Sequence, residues 1–142
     1  MNRIYLLIII VFTCCMPLGC GSPKALQPET STCVQGQAII AVFDGLLQNL
    51  CGCQETPGTY GTLDTPLTCT VSAGSRVAFF YSNTQLIHQL IPAENSTFVA
   101  SPVSDPNGVL KVPAHEMIFD TQGIYRFRDA FNTGIRGQII VQ

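Results

Sequence analysis

A chain of 142 residues with a formal net charge of -2 has room for one modest core and carries little basic charge. Its seven Lys and Arg form no run that phosphates could meet, which argues against nucleic-acid binding as its function.

Residues 1–19 read as a targeting segment and are set aside from the fold. Arg3 supplies a positive start, and the apolar run 4–12 (IYLLIIIVF) is too short to cross a bilayer comfortably as a mature helix. The run leads to Pro17-Leu18-Gly19-Cys20, which resembles a bacterial lipoprotein signal, where a small residue precedes a cysteine that becomes lipidated and N-terminal. Pro17 stands where Leu is usual. The resemblance implies Cys20 as the lipidation site, the membrane as a partner through a lipid anchor, and a place in the bacterial cell envelope. Gly21 follows the cysteine where an inner-membrane lipoprotein often has Asp, so the outer membrane or the periplasmic face is favoured. The alternative is a plain secretory signal with an incidental Cys20. Residues 20–33, rich in Pro, Ser and Thr and without periodicity, then read as anchor and tether.

The domain occupies residues 34–142. Residues 36–43 (GQAIIAVF) predict a strand stopped by Asp44-Gly45. The apolar stretch 46–50 predicts one helical turn or a packed loop. Residues 44–66 read as an insertion, with 54–66 (QETPGTYGTLDTP) its irregular part. Strands follow at 67–71 and 76–81 (RVAFFY), separated by a Ser-Ala-Gly-Ser turn, and another at 87–91 ends on Pro92. Residues 93–108 are the longest featureless run. Residues 109–112 predict a short edge strand, since Pro113 forbids a central one. Residues 116–120 lead into a closing hairpin of Ile124–Arg128 and Gln138–Val141. There Tyr125, Phe127 and Asp129 share one parity, and Ile124, Arg126 and Arg128 the other. About seven strands with no convincing amphipathic helix make an all-β sandwich.

Two stretches carry a family resemblance. The segment TVSAGSRVAFFYSNTQLIHQL is similar to the V-x-x-G-x-x-V-x-F unit of the cupredoxins, the blue-copper proteins, through Val71, Gly74, Val77 and Phe79. The hairpin FDTQGIYRFRDAFNTGIRGQIIV resembles their last one, where aromatic-x-aromatic-x-Cys leads into Cys-x-x-His-x-x-Met and Gly opens the final strand. The resemblance implies a cupredoxin-like Greek-key β-sandwich in which His88 is the first copper ligand. On the same frame the Cys position holds Asp129, the His position Asn132 and the Met position Ile135. The blue-copper centre depends on a thiolate, and a carboxylate cannot supply that bond. The expectation is a divergent member without a type 1 copper site and with no cofactor. His88 then packs as an unligated side chain hydrogen-bonded to Asp129 or Asn132; the alternative is weak metal binding by His88 with Asp129.

Export places Cys33, Cys51, Cys53 and Cys69 in an oxidising compartment, where two disulfides are the default. A bridge from Cys51 to Cys53 closes too tight a loop. Cys33 therefore pairs with one of these two and Cys69 with the other. The alternative takes Cys51-Gly52-Cys53 as a thiolate clasp for a soft ion.

His115 reads as a surface loop residue. Arg126, Arg128 and Arg136 form either a small basic patch facing an acidic partner or three solvated side chains. No nucleophile–base pair, metal-hydrolase motif or phosphate loop is recognisable, so the chain is not read as an enzyme. The functional expectation is a lipid-anchored structural or protein-interaction module with a protein partner, such as an accessory subunit of a membrane-associated complex. The alternative is a metal-binding or electron-transfer protein with an atypical site.

Overall fold

The computed structural model describes residues 33–107 and 114–142. Nine strands among them build two facing sheets: β1 (Gln37–Val42), β2 (Leu47–Cys51), β3 (Tyr60–Gly61), β4 (Leu67–Val71), β5 (Ser75–Tyr81), β6 (Leu90–Pro92), β7 (Ala114–Phe119), β8 (Gly123–Asp129) and β9 (Arg136–Val141). One sheet has the order β3-β2-β1-β5-β7 and the other β4-β9-β8-β6. Two pairs, β1 with β5 and β4 with β9, run parallel, so the chain crosses between sheets rather than meandering through them.

Alternation sets the faces. In β9, Gly137, Ile139 and Val141 are buried, and in β8 Phe127 and Asp129 are. Phe127 meets Phe79 edge-on (centroids 5.2 Å apart) and stacks on Phe98 (4.9 Å), so one aromatic trio joins the two sheets. Gly137 is required beneath it, since a Cβ there would collide with the Phe127 ring and press on Leu47.

Residues 67–71 form the predicted strand, and the hairpin has the predicted parity. The strands expected at 36–43 and 76–81 are also present, as β1 and β5, and other elements differ. Residues 47–51 are strand β2, not a helical turn or loop. Its pattern is hidden by Gln48 and Asn49, both buried; the Asn49 amide is bonded to the Glu55 carbonyl at 2.9 Å. The stretch read as an insertion thus contains two strands of the main sheet. The strand expected at 87–91 starts only at Leu90, because His88 makes an isolated bridge with Ser104 instead. His115 lies in β7 opposite Phe79, half-buried, with Nε2 enclosed and unpartnered, rather than in a surface loop. Burial alone lowers its pKa. The featureless run supplies Phe98 to the core, with Ser101 and Ser104 buried beside it. The signal and tether residues up to 32, Cys20 among them, and the edge strand expected at 109–112 lie outside the described residues.

All four domain cysteines are bridged, Cys33 to Cys51 and Cys53 to Cys69. Gly52 lies between them at φ +85°, and a side chain there would run into the Gln37 and Ala38 backbone. This turn sends neighbouring sulfurs to different partners, Cys53 to strand β4 of the other sheet.

Candidate functional site

Three loops meet at the end of the sandwich where β1, β5 and β8 finish. The first contributes Asp44, just after β1. The second contributes Gln85, Leu86 and His88, between β5 and β6. The third begins at Asp129, the last residue of β8, and runs to Ile135. His88 and Asp129 are both fully buried.

The His88 ring lies between two carboxylates. Nδ1 is 2.7 Å from Asp129 Oδ2 and Nε2 is 3.1 Å from Asp44 Oδ1. Ionised carboxylates only accept hydrogen bonds, so both ring nitrogens donate when both carry protons, which makes the ring an imidazolium. Burial works against that charge, but the hydrogen bonds and charges of Asp129 and Asp44 outweigh it and raise the His88 pKa above its usual 6.5. Burial likewise opposes ionisation of Asp44, yet the amides of Gln85 and Leu86 and the His88 ring hold its pKa below the usual 3.8.

Every remaining acceptor is used. Asp129 Oδ1 accepts from the amides of Phe131 (2.8 Å) and Asn132 (3.0 Å). Asp44 accepts from Gln85 at 2.9 and 3.0 Å and from Leu86 at 3.1 Å. Tyr81 stacks on the imidazole, with centroids 6.1 Å apart and planes 25° from parallel. Its hydroxyl meets Ser101 Oγ at 3.2 Å.

Of the four positions singled out in the sequence, the structure brings all to this end but gives them different work. His88 and Asp129 bond directly. Asn132 does not reach His88; its Nδ2 donates to the Asp44 carbonyl and its Oδ1 accepts from the Gly134 amide at 3.1 Å. Ile135 is fully buried in the apolar core. Asp44, Tyr81 and Ser101 were missed. Asp44 looked like a strand stop, and its partner lies 44 residues away.

These residues do not fit a type 1 copper ion. The thiolate, second imidazole and thioether positions hold a carboxylate, an amide and an alkyl group, and both His88 nitrogens already face carboxylates. Among the described residues, Cys53, Glu55 and Cys69 are the one cluster with metal-ligand spacing. Its sulfurs are joined to each other, and Glu55 accepts from the Thr70 amide (2.8 Å) and hydroxyl (2.6 Å).

No protein-family model matches the chain. No curated protein matches it either. Solved structures do. A reduced variant of amicyanin aligns at 13% identity with a TM-score of 0.50, over 81% of this chain and 95% of its own. A second amicyanin variant, in the Cu(I) form, gives 12% and 0.50 over 75% and 83%. A purple cupredoxin from Nitrosopumilus maritimus gives 18% and 0.47, over 75% and 98%. The domain therefore has the cupredoxin fold, as the sequence resemblance implies.

Proposed function

We propose that this protein is a lipid-anchored envelope protein in which a cupredoxin-like sandwich serves as a structural or protein-interaction module, without a type 1 copper site and without catalysis. The observation that carries this reading is the Asp44–His88–Asp129 unit, which fills the pole with hydrogen bonds that a metal would have to displace. Around it Leu86, Ile87 and Phe131 stand exposed on two of the three loops, apolar side chains that a partner's surface would cover. The fold offers a rigid platform and the tether gives it reach from the membrane, as an accessory subunit of a larger assembly would need.

The metal-handling alternative is weaker. Cys51 and Cys53 sit in separate disulfides, so a thiolate clasp would require both bridges to be reduced. A site at His88 with Asp129 would have to break the bond between them.

Copper addition tests the first half of the reading. Cu(II) should produce no intense thiolate-to-copper band, whereas the variant Asp129→Cys with Asn132→His and Ile135→Met should gain blue-copper character beside His88. An intense band in the unmodified protein would sink the reading. For the second half, native cross-linking followed by purification from membranes should give a discrete complex, and Cys20→Ser should release the protein. Unchanged retention of that variant removes the anchor, and a monomer from both preparations removes the module.

A further inference from the structure

The outer face of the four-stranded sheet concentrates charge without neutralising it. Arg128 and Arg136 are directly opposite each other across β8 and β9. Like charges so placed destabilise a strand pair. Arg126 lies two residues before Arg128, hence on the same face, opposite Gln138. All three arginines are exposed, and among the described residues none pairs with a carboxylate. By contrast Arg76, on the other sheet, meets Glu116 at 3.3 Å.

Their stems are steered. Arg136 Nε donates to the Thr133 carbonyl at 3.3 Å, and Arg128 Nη1 lies 3.5 Å from the Asp129 carbonyl. The remaining guanidinium N–H groups are left for a ligand. Gln138 is held by its amide to Thr68 Oγ1 at 3.1 Å.

The three arginines line a groove of about 680 Å³. Its floor is β8 and β9, and its walls are Pro66 before β4 on one side and residues 93–95 after β6 on the other. Three strand spacings separate those flanking strands, about 14 Å. That accommodates one extended chain. Farther along the same face Ile124, 48% exposed, stands opposite Ile140. Beyond the groove the sheet face thus passes from basic to apolar.

We propose that this groove is the docking site for an extended acidic peptide segment of a partner protein, its carboxylates on Arg126, Arg128 and Arg136 and its apolar end toward Ile124. The proposal rests on the interaction-module reading and assigns it a face and a partner chemistry. Guanidinium forks match carboxylates two bonds at a time, which a diffuse charge patch would not provide. An anionic bilayer suits the site less well, because a flat surface meets the walls before the floor and Glu94 lies among the lining residues.

The test uses the full chain carrying Cys20→Ser, so that no anchor contributes, and a fluorescein-labelled peptide of about ten residues alternating Asp or Glu with Leu. Binding should saturate, weaken as salt rises, and vanish for the same peptide with Asn and Gln in place of the acids. Arg126→Gln with Arg128→Gln and Arg136→Gln should reduce affinity on the order of tenfold or more, since each exposed pair is worth only a few-fold. Arg76→Gln, on the other sheet, should leave peptide binding unchanged. Equal binding by the triple variant overturns the proposal, as does no binding at all. Arginine-dependent binding to phosphatidylglycerol vesicles without peptide binding would assign the groove to lipid instead. In native cross-linking, a partner lost when Leu86→Glu and Phe131→Glu are combined but kept by the arginine variant sinks this inference and spares the module reading. A partner found with neither the native protein nor the variants sinks the module itself.

Discussion

The two ends of strand β1 are secured by opposite chemistries. At its start, the Cys33–Cys51 and Cys53–Cys69 bridges are covalent, insensitive to moderate pH and sensitive to reductant. At its finish, Asp44, His88 and Asp129 hold three loops by charge and hydrogen bonds, insensitive to reductant and sensitive to protons. The disulfides act largely by restricting the unfolded chain. The imidazolium unit acts in the folded state, because a buried charge is tolerable only while its partners remain. Here the pole is closed by one imidazole held between two carboxylates.

The comparison predicts separable failures. The largest effect should come from His88→Ala, which leaves the buried Asp129 carboxylate facing an empty space. About 3–5 kcal/mol of stability should be lost in urea unfolding, with both disulfides intact by mass spectrometry. A loss below about 1 kcal/mol would mean the ring is not charged. Replacing Cys53 and Cys69 by Ala should cost about 3 kcal/mol and leave the pH dependence of stability unaltered. A changed pH profile would show that the two ends are coupled.

The pH profile itself sharpens the contrast. The His88 pKa is raised on folding, so its contribution is complete below 6.5 and fades as pH rises through the folded value. Asp44 has a lowered pKa, so its contribution is complete above 3.8 and fades as pH falls through the folded value. Urea midpoints should therefore decline on both sides of a mildly acidic plateau, and His88→Gln should remove the decline above pH 6.5. A wild-type profile flat from pH 6.5 upward would refute the charged ring. Asp44→Asn should be the mildest change, about 0.5–1 kcal/mol, because that side chain is partly exposed and solvent screens its charge.

Much of this was written locally. Val71, Gly74, Val77 and Phe79 mark a turn and strand through their resemblance to the cupredoxin unit, and the parity of Tyr125, Phe127 and Asp129 assigns the buried face. Cysteine arithmetic set aside a Cys51–Cys53 bridge but left two pairings open, and the fold chooses Cys33 with Cys51 and Cys53 with Cys69. What escaped was non-local. Strand β2 carries a buried Asn49 whose amide is bonded to the Glu55 carbonyl, so its periodicity is broken by a polar residue with a tertiary explanation. Asp44 resembles any turn acid until the fold brings it to a histidine far along the chain. Phe98 enters the core from a stretch without periodicity, held by its neighbours rather than by a strand.

The central claim is that a doubly protonated His88 occupies the pole between Asp44 and Asp129. The most direct measurement is nitrogen-detected NMR of the imidazole rings in 15N-labelled protein at pH 6, before and after equimolar Cu(II). Nδ1 and Nε2 of His88 should both carry protons, and neither signal should shift or broaden when copper is added. A neutral ring with one bare nitrogen, or loss of the His88 signals on copper addition, would contradict it.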